Sequence, residues 1–340
     1  LPRVEEEFSL RFPFSPETPM DFLYLSRADV ERVALPMSAI LAALEEMFRE
    51  KGEGRTEMPP KPGIHTRPDA FIHAMPAYIP KSGAAGMKWV AGYPENPKRG
   101  LPYISGLIVL NDPDTGLPLS VMDCTWITAM RTGAATAVAA KYLARPESKT
   151  VGIVACGVQG RSNLEALAEV FRLERVVAYD VKRESAERFA REMGAQLSLP
   201  IEVVDTPRKA VSGLDLVVTS GPILKHPRPT IEAGWIEPGT FASAVDFDSY
   251  FQGAAQREMD LIATDDLPQM EYYRGVGYFR ETPRAHAELG ELVCGKKPGR
   301  TGARQRTLAM NLGLALDDMA TSILIFQRAC ALGIGTRLPL

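Results

Sequence analysis

The chain has 340 residues, enough for two domains that each bury a core. Its 45% hydrophobic and 24% charged residues are ordinary for a globular protein, and a formal net charge of -3 gives no electrostatic case for a nucleic-acid partner. No stretch approaches the ~20 apolar residues of a membrane helix, and the acidic start Leu1-Pro-Arg-Val-Glu-Glu-Glu7 lacks the basic and apolar regions of a signal peptide.

Residues 26–51 read as helical, with Ser26 as N-cap and Pro36 dividing the stretch into two helices. Residues 52–70, rich in Gly and Pro, read as loop. Strands are expected over Ala70–Ala77, Gly86–Ala91 and Tyr103–Asn111, and the turn Asn111-Asp-Pro-Asp-Thr-Gly116 joins the last to a strand over Leu117–Asp123. The Ala-rich stretch 125–144 is expected to be one long helix, capped by Asp123 or Thr125 and ended by Arg145-Pro146. From 149 onward strands (Thr150–Ala155, 175–180, 201–205, 214–219, Thr240–Val245, Leu261–Thr264) alternate with helices (159–172, 183–194), the signature of a doubly wound parallel sheet. Residues 306–332 read as a long apolar helix or helix pair packing back on the first part. The expected fold class is therefore α/β: a Rossmann nucleotide-binding domain plus an α+β domain.

The strand Val151–Ala155 runs into Cys156-Gly-Val-Gln-Gly160. Read as G-x-G-x-x-G, alanine replaces the first glycine, Gly157 lets the backbone approach a pyrophosphate, and Gly160 lets the helix pack on the strand. The N–H groups of Val158 and Gln159 at the helix start suit phosphates. A second strand ends in Asp180, about twenty residues on, where an acid meets the adenosine ribose. The alternative is a strand–turn–helix without ligand, which the agreement of the whole unit disfavours. Asp180 argues for NAD, while Lys182 and Arg183 suit the 2′-phosphate of NADP. Thr219 and Ser220 end a later strand, either lining the cofactor or making a plain turn.

Cys124, Cys156, Cys294 and Cys330 are scattered, form no C-x-x-C, and are expected to be reduced in a cytoplasmic protein. The four histidines make no metal-ligand pattern, so no metal is expected.

Several segments resemble the ornithine cyclodeaminase/mu-crystallin family: Met75-Pro-Ala-Tyr78, Gly86-Met-Lys88, Gly116–Asp123, Ile127-Thr-Ala-Met-Arg-Thr-Gly-Ala-Ala135, Gly157-Val-Gln-Gly-Arg161, Pro238-Gly239, Gly295–Arg300 and Gly313-Leu-Ala315, in order over most of the chain. The resemblance implies a homodimer, a bound NAD or NADP, and chemistry on a small amino or imino acid. It implies a nucleotide domain over 130–310 and a discontinuous substrate and dimerisation domain over 1–129 and 311–340. The family includes imine reductases of the ketimine and pyrroline-carboxylate type, amino-acid dehydrogenases, ornithine cyclodeaminases that release ammonia with recycled NAD, and a mu-crystallin that binds a small ligand. The first two types lead as expectations, with the lyase and the binding protein as alternatives.

The resemblance puts Lys88 and Arg131 on the substrate carboxylate, and the ammonium of Lys88 is chemically able to donate a proton as well. Lys61 falls on a further basic position, with His65 and Arg67 as rivals. Asn311 and Leu312 fall beside the nicotinamide, and Asp248 on the catalytic acid. The planar fork of Arg131 suits a carboxylate, and an aspartate suits an ammonium that must shed a proton. Asp246 stands where the family has glycine. If the strand continued through it, Asp246 and Asp248 would share a face and couple. Which of the two works is open at the level of sequence. The alternatives are a solvated lysine for Lys88, a surface ion pair for Arg131, a turn cap for Asp248 and a structural histidine for His73.

Overall fold

A computed structural model of the chain describes residues 20–340; the acidic start lies outside the described residues. Strand β1 (Asp21–Leu25) leads into helix α1 (Arg27–Arg32). The Ser26 hydroxyl accepts from the Asp29 N–H, and the Asp29 carboxylate accepts from the Ser26 N–H, a reciprocal cap of the expected kind. Pro36 separates α1 from α2 (Met37–Gly52), as expected. The loop beyond it contains the two-residue strand β2 (Gly63–Ile64). Strands β3 (Phe71–Ile79), β4 (Ala84–Gly92), β5 (Ile104–Asn111) and β6 (Pro118–Asp123) then form an antiparallel meander. Alternation along β4 turns Lys88 and Val90 inward and Met87 and Trp89 outward.

Helix α3 (Thr125–Leu143) starts where the Asp123 carboxylate accepts from the Thr125 N–H. Then come β7 (Thr150–Val154), α4 (Val158–Val170), β8 (Arg175–Tyr179), α5 (Arg183–Leu197), β9 (Ile201–Val203), β10 (Leu216–Thr219) and β11 (Phe241–Ala244). The small residues of α3 serve close packing: a Cβ on Gly133 would lie 2.2 Å from the Ser162 carbonyl oxygen on α4. The chain continues through α6 (Gly253–Arg257), β12 (Leu261–Thr264), α7 (Leu267–Gly275), β13 (Ala287–Glu288) and α8 (Leu289–Val293) to β14 (Thr307–Met310). The second sheet is parallel throughout, in the order β13-β12-β14-β11-β10-β7-β8-β9. Its order reverses between β7 and β10, and ligands of such sheets bind outside the strand ends at that point.

The expected helix over 306–332 is corrected at its start. Thr307–Met310 is a strand between β11 and β12, buried on both faces, and a continuous apolar run of that length fits strand and helix equally well. Helix α9 (Ala315–Leu332) begins after it, packs on α2, α3, β3 and β4, and leads to β15 (Thr336–Pro339). Strand β15 pairs with β1, so the first sheet runs β15-β1-β6-β5-β4-β3-β2 and takes strands from both ends of the described chain.

Candidate active site

A cavity of about 290 Å³ is lined by the inner face of β3 and β4, the C-terminal ends of the parallel strands, and the segment from α7 to Tyr278. Lys61, Lys88 and Arg131 all line it. Thus the structure brings together the three cations that the sequence reading singled out. None is a surface group: Lys88 is 1% exposed and Arg131 6%.

Their partners were missed in the sequence. Lys88 Nζ lies 2.6 Å from Asp318 Oδ2, Arg131 Nε 3.1 Å from Asp318 Oδ1, and Arg131 Nη1 3.3 Å from Asp317 Oδ2. Both acids occupy the first turn of α9, where the helix dipole favours negative charge. Adjacent aspartates opening an apolar helix were the available signal. Burial pulls the Lys88 ammonium below its ordinary value, against the pull of Asp318. For Arg131 burial again acts downward, but Asp318 and Asp317 outweigh it and raise the pKa. Among the described residues no acceptor meets Arg131 Nη2, so one prong of the fork stays available to an anion. Gly313, at φ 80°, lets the chain pass this guanidinium; a Cβ there would sit 2.6 Å from Nη1.

Lys61 comes from the loop before β2. Its Nζ donates to the carbonyls of Leu312 at 3.3 Å and Gly313 at 3.1 Å, and the Tyr273 ring lies 5.4 Å away. Burial lowers its pKa to about 7; Asp265 opposes the shift and Lys88 and Arg131 reinforce it. The rivals His65 and Arg67 are exposed, though His65 also borders the cavity.

Gln159, Gly221, Val245, Asn311 and Leu312, which follow the ends of β7, β10, β11 and β14, also line the cavity. Asn311 is 4% exposed, yet neither its amide oxygen nor its nitrogen has a partner among the described residues. A buried amide is costly to leave unpaired, and a carboxamide would pair with both of its atoms. At the turn after β7, Ala155 takes φ 74° where the fingerprint has its first glycine. A Cβ on Gly160 would lie 2.6 Å from the Ala155 carbonyl, whereas nothing lies within 4 Å of one on Gly157. Open space at Gly157 and the free N–H groups of Val158 and Gln159 make the cradle a pyrophosphate needs. These residues fit a nicotinamide dinucleotide.

Asp180 follows β8, with its oxygens taking the N–H groups of Cys156 at 2.8 Å and Lys182 at 2.9 Å. Lys182 and Arg183 are exposed, and Arg183 pairs with Glu187. Thr219 and Ser220 do not line the cavity. The Thr219 hydroxyl donates to Asp246 Oδ1, and that of Ser220 to the Ala155 carbonyl, fixing the turns around the cradle.

The shared face expected for Asp246 and Asp248 does not form. Strand β11 stops at Ala244, and Phe247 at φ 61° turns the chain. Asp246 is fully buried, accepts from the Gly221 N–H at 3.0 Å, and has its pKa raised by burial to about 7. Asp248 lies outside the lining of the main cavity. It borders a separate cavity of about 550 Å³ beside Lys225 and Arg280, and its Oδ2 accepts from the Phe279 N–H at 2.9 Å. Burial raises its pKa. His73 does line the main cavity, stacked on Phe71 with ring centroids 4.4 Å apart; burial, reinforced by Lys61, lowers its pKa to about 3 and keeps it neutral.

A parallel sheet with a dinucleotide cradle, beside a cavity lined by three buried cations, defines a Rossmann-type protein with a cationic cavity next to its nucleotide site. The chain belongs to the ornithine cyclodeaminase/mu-crystallin family, whose profile matches residues 21–332. It is 35% identical to the alanine dehydrogenase of Archaeoglobus fulgidus over 94% of this chain and 98% of that one. The structure of Thermococcus litoralis Delta(1)-pyrroline-2-carboxylate reductase in complex with NADH and L-proline aligns with a TM-score of 0.84 and 36% identity, covering 93% of this chain and 99% of the other. A dimeric archaeal alanine dehydrogenase with bound NAD aligns with a TM-score of 0.85 and 33% identity, covering 94% and 100%. Among the described residues no helix is long and apolar enough to cross a membrane.

Proposed function

We propose that the protein is an NAD(P)H-dependent oxidoreductase that interconverts a 2-imino acid and a 2-amino acid. The observation that carries this reading is the placement of Arg131, Lys88 and Lys61 in one cavity with the unpaired amide of Asn311. The free Nη2 of Arg131 and the charge of Lys88 anchor the substrate carboxylate, and the α-carbon then lies toward the nicotinamide side. The bound cofactor supplies or accepts hydride at that carbon. Gly157, Val158, Gln159 and Gly160 hold its pyrophosphate, Asp180 its ribose, and Asn311 its carboxamide. Asp180 favours NAD over NADP, because its charge opposes a 2′-phosphate.

Among the described residues lining the cavity, Asp69 is the one carboxylate. Phe71, neutral His73, Ile104 and Tyr278 are among its other lining residues. A substrate with an uncharged side chain fits that lining better than a diamino acid, which favours a reductase or dehydrogenase over an ornithine cyclodeaminase. The same set of cations argues against a purely binding, mu-crystallin-like role.

The protein is further proposed to act as a homodimer. The outer face of the first sheet carries a cross-strand apolar row: Trp89 opposite Leu107, Met87 opposite Val109, and Val109 opposite Val121. Trp89 is 47% exposed and Leu107 43%. A second copy covers such a row at little cost. The two sheets support a division into 1–129 with 311–340 and 130–310. The four unpaired cysteines suit the cytoplasm.

The test is NADH and NADPH oxidation with cyclic 2-imino acids and with 2-oxo acids plus ammonia or alkylamines. Net cofactor turnover is the expected result. Ammonia release from ornithine without net turnover would put the lyase in its place.

A further inference from the structure

We propose that Lys61 exchanges the proton with the substrate nitrogen, and that Asp265 positions it through the Leu312–Gly313 backbone. The inference rests on the imine-reducing reading above. Lys61 carries three N–H donors when protonated. Two are taken by the carbonyls of Leu312 and Gly313, at 3.3 and 3.1 Å. The third has no acceptor among the described residues, while the side chain lines the cavity. Asp265 is fully buried and not in ion-pair contact with Lys61; its Oδ2 accepts from the Gly313 N–H at 2.8 Å. It therefore fixes the backbone whose oxygens fix the ammonium.

The surroundings make this ammonium ready to lose its proton. It faces Lys88 from β4, Arg131 from α3, Asp318 from α9 and Asp265 from the segment after β12, with Tyr273 of α7 over it and neutral His73 of β3 nearby. Lys88 and Arg131 have carboxylate partners at ion-pair distance, and Lys61 has none among the described residues. Burial and the two cations bring its pKa to about 7, where it can give and regain a proton at neutral pH. Asp248, which the resemblance puts in this role, has its carboxylate on the Phe279 N–H outside the cavity lining.

The step balances as follows. The imine nitrogen takes the proton from Lys61 Nζ, the imine carbon accepts the hydride of the reduced cofactor, and the C=N π pair becomes the new N–H bond. Amine, oxidised cofactor and neutral Lys61 result, and water at the cavity mouth reprotonates the lysine. Oxidation of the amine runs the same path backward, with neutral Lys61 as base.

Lys61→Arg separates this role from a mere anchor. Arginine keeps the charge but cannot give up its proton at neutral pH. The expected result is a fall in kcat of about 10²–10⁴-fold, with KM changed much less, and loss of the wild-type decline in reductive kcat above about pH 7. Asp265→Asn should move that decline to another pH, a change that general loosening of the fold does not produce. Independently of activity, NMR of protein labelled at lysine Cε should contain one resonance, absent in Lys61→Arg, that titrates near pH 7 rather than near the ordinary 10.5. A Lys61→Arg enzyme with wild-type kcat and pH profile, or a Lys61 resonance titrating near 10.5, overturns this inference and leaves the reductase reading standing. Absence of wild-type turnover with every imine and amino acid overturns both.

Discussion

The carboxylate of Asp248 holds the backbone N–H of Phe279 at 2.9 Å, and this bond ties the loop after β11 to the segment after α7. Around it Phe247 packs against Phe279, Tyr273 and Tyr278, with ring centroids 5.0, 4.9 and 5.5 Å apart. Tyr273 and Tyr278 are wall residues of the cavity, so the bond braces that wall. Asp248→Asn keeps an acceptor for Phe279 and should leave kcat within about tenfold of wild type. Asp248→Ala removes it and should cost about 1–2 kcal/mol of stability. Denaturant unfolding alongside steady-state kinetics checks both; a loss of 10²-fold or more in Asp248→Asn would return the proton-transfer role to this residue.

Arg131→Met should both destabilise the fold and weaken substrate binding. It leaves the buried Asp317 with the Leu314 N–H but no cation and Asp318 with Lys88 alone, and breaking a buried pair costs about 3–5 kcal/mol. Adding Asp317→Asn should recover part of the stability and none of the substrate affinity. The two effects separate in thermal melts and KM measurements on the single and double variants.

The pH dependence of stability has two opposing windows. Asp246 titrates near 3.8 when unfolded and is raised by burial to about 7 in the fold, so the native state holds the proton longer and stability falls as pH rises between those values. Asp317, also raised to about 7 by burial despite Arg131, adds to the fall. Lys61 acts oppositely: its pKa drops from 10.5 to about 7, the unfolded chain holds the proton longer, and stability rises through that interval. Urea unfolding from pH 4.5 to 9.5 should find a minimum near neutrality, and Lys61→Met should abolish the recovery on the alkaline side.

Trp89→Glu with Leu107→Glu should yield a monomer. Each substitution puts a charge into the outward apolar row of the first sheet, while the inner face with Lys88 and Val90 is left alone. Sedimentation velocity at micromolar concentration checks the mass. A dimer that survives both charges would place the interface elsewhere.

Much of this was legible in the sequence because it depends on local signals. Ser26, Pro36, the turn at Asn111–Gly116 and the strand–Gly157–helix unit each carry their geometry in a few residues. Strand β14 was not legible, since Thr-Leu-Ala-Met becomes a strand only by lying between β11 and β12, which come from distant sequence. Strands β1 and β15 went unread because they are short and are specified by partners distant in sequence, β1 by β15 and β6 and the edge strand β15 by β1. At the site, Lys88 and Arg131 could be named from motifs. Their pairing with Asp317 and Asp318 spans 186 residues or more and has no local signature. Asp248 failed to reach the cavity for a reason equally remote from pattern, the left-handed Phe247 that ends the extended run.

The left-handed alanine at 155 has a consequence for the cofactor's arrival. A methyl group at φ 74° costs about 1–2 kcal/mol that glycine would not. Glycine, however, leaves the free turn many conformations to surrender when phosphate docks. Alanine, held here by its N–H to the Tyr179 carbonyl and by Ser220 on its own oxygen, has few. The turn meets the dinucleotide already ordered, and less of the binding free energy is spent on freezing it.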